Sequence, residues 1–444
     1  MRKIIQNRKL AEALAELNEL TDWERRPRGL MRVGLEPADD LAKRLGNPHR
    51  AFRSIQVAGT KGKGSTCSLL EAAFDNAGYR VGRYASPHVE HITERVSLNG
   101  LLVEEEILGE AIVQSLAAYR EALREGTPAQ SATWFDILTV SAFLIFNKAG
   151  IDWAVIETGL GGRLDSTNIV DGEIAIITNI ELEHTEVLGS SRAAIAREKA
   201  GIIKPRKAVV TSLAATDEAG RVVEERAKEL DCEIYRPILP DHPTIEDRNA
   251  ALAGLTLDIL GQQGLHTRSS SLEDKPLGAW LLNDATRTKA RLPGRLERFD
   301  IEIRNSAGEG RRVPVILDGA HVPFNLEAVL NDLASQPDLR RSCISIVALA
   351  ADKDAAGFLT AMSHHPVTAI FTAFPTAGRT RSPDELRDLA QTLGMPSEVV
   401  PDPMQAFERA CEQALKTGSW ILVTGSLYLV GLLREAVAAR SAPS

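Results

Sequence analysis

Cysteine is scarce: only Cys67, Cys232, Cys343 and Cys411 occur in 444 residues, with no paired spacing. That excludes a disulfide framework and a cysteine-built metal site, and reads as reduced, mostly buried thiols in a cytoplasmic protein. A basic surplus is missing too. Lys plus Arg is 52 against 60 for Asp plus Glu, a formal charge of −8, which argues against nucleic acid as a partner. A sum does not exclude a local basic pocket for a small anion. No apolar run reaches the roughly 20 residues that span a bilayer; the longest, WILVTGSLYLVGLL, is short and interrupted, so no membrane role is expected. The N-terminal MRKIIQNRKLAEALAEL lacks a continuous apolar core and reads as an amphipathic helix rather than a signal peptide. Internal repeats and low-complexity tails are absent as well.

What is present is an ordinary globular balance, 44% hydrophobic and 25% charged, in a chain long enough for two or three domains. Short β-branched runs alternate with helical patterns: SIQVAG, RVGRYAS, WAVIETGL, IAIITNI, AVVTS, VPVILDGA, CISIVALA, TAIFTAF and WILVTGS. Continuous apolar strands separated by helices predict an α/β fold with mostly parallel sheets covered on both faces. The alternation weakens between Ile238 and Arg291, and Pro293-Gly294 in RLPGRLERF cannot continue a helix. This predicts a larger N-terminal domain over 1–292 and a smaller C-terminal one over 293–444.

Gly59-Thr60-Lys61-Gly62-Lys63-Gly64-Ser65 lies between an apolar strand and an amphipathic segment that should end at Gly78. Glycines let successive amides turn to one point, a helix N-terminus adds partial positive charge, and lysine adds a full one. The pattern is close to G-x-x-x-x-G-K-[ST] with a glycine inserted before the serine, which predicts a nucleoside triphosphate site. The same sequence would also suit a glycine-rich turn with solvated lysines.

Three other strand ends carry polar groups. ASPHVEHITERV offers Ser86, His88, His91, Glu94 and Arg95, and by itself reads as readily as a surface loop. Glu157 ends WAVIE, where a carboxylate near Mg²⁺ would sit, though a solvated glutamate also ends strands, and GLGGRLDSTN follows it as an irregular loop. His184 follows IAIITNI; a lone histidine there is equally a structural one. Lys199, in REKAGIIKP, would alone be an ordinary surface lysine.

In this order the motifs VAGTKGKGST, YASPHVEHITERV, TWFDILT, ETGLGGRLDSTN, EHTEVLG, EKAGIIK, RLPGRLERF, DGAH, DKD and TGSLYLVG resemble the folylpolyglutamate synthase and dihydrofolate synthase family, the folate branch of the Mur ligases. The resemblance implies a P-loop-type ATPase domain followed by a Rossmann-like glutamate-ligase domain. It implies a reaction in which a pterin-bearing carboxylate takes the γ-phosphoryl group of ATP and the resulting acyl phosphate is attacked by the amine of L-glutamate. By resemblance, Gly59, Thr60, Lys61, Gly62, Lys63, Gly64 and Ser65 hold the triphosphate, and Lys63, Lys199 and His184 serve catalysis. Ser86, Glu157 and His184 match magnesium ligands. Lys199 matches a lysine carried as a carbamate beside a second Mg²⁺. Thr133, Phe135, Asp165 and Ser166 match the pterin pocket, and Asn249, Arg295, Asp318, His321 and Ser426 match residues that meet the nucleotide. Dihydropteroate or a folate, with L-glutamate, are the implied substrates, and a monomer is expected.

Two positions depart from the family pattern: Lys61 where Asn is usual, and Val322 where DGAHVPFN would normally carry Asn. Two further readings remain at this stage: another Mur-type ligase acting on a cell-wall nucleotide precursor, and a catalytically silent paralogue.

Overall fold

The computed structural model describes residues 5–23, 34–304, 310–374 and 380–441. The chain forms two compact units, divided between Arg291 and Leu292, and the second unit also takes Val89–His91. Met1 to Ile4 of the expected N-terminal helix lie outside the described residues; the helix itself runs Arg8–Leu17.

Among the described residues, the first unit is built on eight strands: β1 (Arg53–Ala58), β2 (Val81–Tyr84), β3 (Val96–Leu98), β4 (Leu101–Leu102), β5 (Trp153–Glu157), β6 (Ile174–Ile177), β7 (Ala208–Thr211) and β8 (Ile234–Tyr235). Their order is β4-β3-β2-β5-β1-β6-β7-β8. The run from β2 to β8 is parallel, and the β3–β4 edge is antiparallel. Side chains alternate between faces. On β5, Trp153 and Val155 enter the core under the helices Lys63–Asn76 and Ile245–Gln262, whereas Ala154 and Ile156 enter the core under Glu105–Glu125 and Trp134–Ala149. Both faces being apolar explains why the strands read as continuous hydrophobic runs. Phe74 stacks on Trp153 with ring centroids 5.1 Å apart; a fully buried ring of this kind contributes about 1.5–3 kcal/mol. That packing anchors the helix whose N-terminus follows the glycine loop.

The second unit contains β9 (Glu297–Arg304), β10 (Gly310–Leu317), β11 (Cys343–Val347), β12 (Val367–Phe371), β13 (Ser397–Val399) and β14 (Trp420–Thr424), ordered β13-β12-β11-β14-β10-β9. Among the named strands of the described residues, β9 and β10 pair antiparallel and the other pairs are parallel. Five α-helices among the described residues accompany the sheet, including Pro323–Ser335 and Leu427–Ala439. Among the described residues, no helix is long and apolar enough to cross a membrane. All four cysteines are free thiols.

Candidate active site

Four neighbouring parallel strands, β2, β5, β1 and β6, deliver their following loops side by side. Parallel register pairs Val57 with Glu157 and Ala58 with Ile177. The glycine loop after β1 is therefore flanked by Glu157 on one side and Thr178 on the other. In open parallel sheets, ligands bind outside the carboxyl ends of the strands, where the strand order reverses.

The loop enters the helix Lys63–Asn76 at Gly62, whose φ of +85° is one that L side chains rarely adopt. A Cβ on Gly62 would lie 2.4 Å from Asn249 Oδ1, so Asn249 packs directly on the loop. No side chain caps this helix. Its first-turn amides are left for an anion, as at other phosphate-binding helix starts. The start of the loop is tied to the strand beyond it: Thr60 N donates to Asn179 O (2.8 Å), Lys61 N to Asn179 Oδ1 (2.8 Å), and Thr178 Oγ1 to Lys61 O (2.6 Å).

Charge concentrates here. Lys63 Nζ is 3.2 Å from Gly59 O and 3.8 Å from Glu157 Oε1. Ser86 N donates to the other oxygen of Glu157 at 3.3 Å. Lys199 Nζ donates to the same Gly59 carbonyl at 2.7 Å. Lys61 pairs with Glu183 at 2.9 Å, and His184 Nε2 is 3.9 Å from that carboxylate. His184 has a left-handed φ of +55°, a conformation costly for a non-glycine residue and found preferentially at functional sites. Burial, reinforced by Lys63 and Lys61, lowers the Lys199 amine from its ordinary 10.5 to about 7, with Glu183 opposing. Lys63, Ser86, Glu157 and Lys199 thus share one cluster, and His184 joins it through Glu183 and Lys61.

These residues suit a metal-bound triphosphate. Uncapped helix amides and ammonium groups match the phosphates, and a buried carboxylate, a serine and an imidazole suit Mg²⁺. The described residues contain no group of three or more His, Cys, Asp and Glu that could cage a metal. A metal here would complete its shell with water and phosphate oxygens.

Thr133, Phe135, Asp165 and Ser166 form a second group. Thr133 caps the helix Trp134–Ala149 in a reciprocal box with Asp136. Phe135 lies against Gly159: a Cβ there would sit 2.5 Å from the ring. Asp165 Oδ2 accepts from Leu160 N (2.8 Å) and Oδ1 from Thr167 N (3.1 Å). Burial raises the Asp165 carboxyl above the usual carboxylate range, against the opposing hydrogen bonds. Ser166 Oγ donates to Asp136 Oδ1 at 2.5 Å.

In the second unit, Arg295, Asp318, His321 and Ser426 gather at the carboxyl ends of β10 and β14. Asp318 Oδ2 accepts from Leu296 N (2.9 Å) and Oδ1 from Ala320 N (2.8 Å). His321 Nδ1 lies 2.8 Å from Gly319 O. Ser426 caps Leu427–Ala439, accepting from Tyr428 N at 3.1 Å. Val322 is the N-cap of Pro323–Ser335 and makes no side-chain cap bond. Asn is among the best residues at that position, and such caps contribute about 1 kcal/mol. Val322→Asn should therefore raise the thermal midpoint by about 2–4 °C in a calorimetric scan; no rise would mean that the helix end is already satisfied.

Residues 57–237 match the Mur ligase middle domain, and residues 294–427 match the Mur ligase glutamate ligase domain. Fold and site together thus define a Mur-class, ATP-dependent ligase. The dihydrofolate synthase/folylpolyglutamate synthase of Escherichia coli is 32% identical over 420 residues, covering 92% of each chain. That of Bacillus subtilis is 30% identical over 441 residues, covering 92% of this chain and 96% of the relative. The solved E. coli structure in complex with DHPP and ADP superposes with a TM-score of 0.76 at 28% identity, covering 97% of this chain and 98% of that one. The Yersinia pestis enzyme complexed with AMPPNP and Mn ion gives 0.74 at 28%, with the same coverage. The chain belongs to the dihydrofolate synthase/folylpolyglutamate synthase family.

Proposed function

We propose that the chain joins L-glutamate to a pterin-bearing carboxylate at the expense of ATP, acting both as dihydrofolate synthase on dihydropteroate and as folylpolyglutamate synthase on reduced folates. The observation that carries this reading is the shared cluster of Lys63, Glu157, Ser86 and Lys199 beside an uncapped helix start. A carboxylate resists attack by an amine until one oxygen becomes a phosphate leaving group. Making that phosphate requires two anions to meet, and Lys63 with the first-turn amides offsets their repulsion. Mg²⁺, when bound, supplies further charge neutralisation across the phosphates; Ser86, Glu157 and His184 would hold it. Lys199, as a carbamate, would offer an anionic ligand to a second Mg²⁺. Its lowered pKa supports this, since only a neutral amine reacts with CO₂, and an amine with a pKa of about 7 is about half neutral at pH 7. Thr133, Phe135, Asp165 and Ser166 would line the pterin pocket. Asn249, Arg295, Asp318, His321 and Ser426 would be nucleotide contacts. We place the working enzyme in the cytoplasm as a monomer.

Incubation with ATP, Mg²⁺, L-glutamate and, separately, dihydropteroate, dihydrofolate and tetrahydrofolate tests the reading by mass analysis. Each acceptor should gain glutamyl residues with matching ADP release. Turnover of a UDP-muramyl acceptor instead, or no glutamate-dependent ADP at all, would overturn it.

A further inference from the structure

Asp136 bears no expected role, yet it bonds to two of the four residues assigned to the pterin pocket. It sits in the first turn of the helix Trp134–Ala149 and is buried. One carboxylate oxygen accepts from Thr133 N and from Thr133 Oγ1, both at 2.7 Å; the other accepts from Ser166 Oγ at 2.5 Å. An N-terminal capping box needs only the first of these oxygens. The second reaches a loop 30 residues away that contains Gly159, against which Phe135 packs. One carboxylate thereby ties the segment Thr133–Phe135 to the segment Gly159–Ser166.

Burial raises the Asp136 carboxyl above its ordinary range, while Ser166 and Thr133 oppose the shift. A group kept in so dry a place at such cost is held by its three donors. Removing any of them would leave a buried oxygen under-satisfied, so the two segments are fixed in a single relative placement. The serine hydroxyl has one proton, and its hydrogen bond to Asp136 Oδ1 uses it. Ser166 can then only accept a further hydrogen bond, through its lone pairs. The ring nitrogens and exocyclic amine of a pterin include N–H donors of the kind such an acceptor recognises.

We infer that Asp136 is a positioning residue for the pterin substrate, fixing both segments of its pocket and setting Ser166 as an acceptor. This rests on the proposed activity. The residue does not touch the phosphate loop by any contact described above, so its effect should fall on one substrate alone.

The test is steady-state kinetics of Asp136→Asn, a near-isosteric change that presents an N–H to one of the present donors. KM for dihydropteroate should rise about tenfold or more, with KM for ATP within about twofold of the parent. Asp136→Glu keeps the charge and the capping chemistry but displaces the bond to Ser166; its KM for dihydropteroate should rise about three- to fivefold. It also serves as the deciding variant should Asp136→Asn fail to fold. An unchanged KM for dihydropteroate in the folded variants, or equal rises for ATP and pterin, overturns the inference. Absence of glutamate-dependent ADP release in the parent enzyme would instead count against the proposed function.

Discussion

Lys63→Ala lowers kcat/KM for glutamate-dependent ADP release by about three orders of magnitude, with the far-UV circular dichroism spectrum unchanged. The size follows from the lack of a substitute among its neighbours. Lys61 is engaged with Glu183 at 2.9 Å. Lys199 is buried and has a pKa of about 7, so only part of the population carries charge at neutral pH. Lys63 is the cation that stands at the first helical position, 3.8 Å from Glu157. The fold should persist because the helix is anchored by Phe74 on Trp153, far along its length from residue 63. The substitution also removes the largest charge effect lowering Lys199, so that amine should titrate higher in the variant. A loss under about tenfold would move the main phosphate-neutralising role to another group.

Lys199→Ala is the second large effect. Ligation should fall by about a hundredfold and recover in part when formate or acetate is added, because a short carboxylate can occupy the place of the lost carbamate. No recovery would remove the carbamate from the mechanism. The same variant carries a stability signature. The folded amine has a pKa of about 7 against an ordinary 10.5, so between those values the unfolded chain binds more protons. Stability from this group is therefore lowest at and below pH 7 and rises as pH climbs toward 10.5. In bicarbonate-free buffer the parent enzyme should show that rise relative to Lys199→Ala, measured as denaturation midpoints across the range. A flat difference would mean that the amine is not depressed.

Much of this site could be read from local pattern. Glycines next to a lysine at a strand end, or a glutamate closing an apolar run, are signals that a few consecutive residues carry. The parallel strands were legible for the same reason, being apolar on both faces. What escaped was of two kinds. Strands of two or three residues, such as β4 and β8, are too short to show a period. β9 is half polar and shows no continuous apolar run, although Phe299, Ile301 and Ile303 alternate in the manner of an edge strand. The second kind is long-range. Asn179, Glu183 and Asp136 act on groups 118, 122 and 30 residues away. Only Thr133-x-x-Asp136, a capping pattern, gave any local hint. Val322 is a local departure whose meaning needed the fold: the position is a helix cap.

The small excursion Val89–His91 bears on how this protein can be taken apart. Those three residues belong to the C-terminal unit. Val89 packs on its apolar core, and Glu90 lies 3.3 Å from Arg434, which also grips Glu297. A gene fragment starting at Leu292 would encode a protein missing part of its own interior and leaving Arg434 short of one carboxylate. Chimaeras that exchange this half between relatives would have to transplant the tripeptide too, two residues beyond Pro87, or accept a mismatched seam.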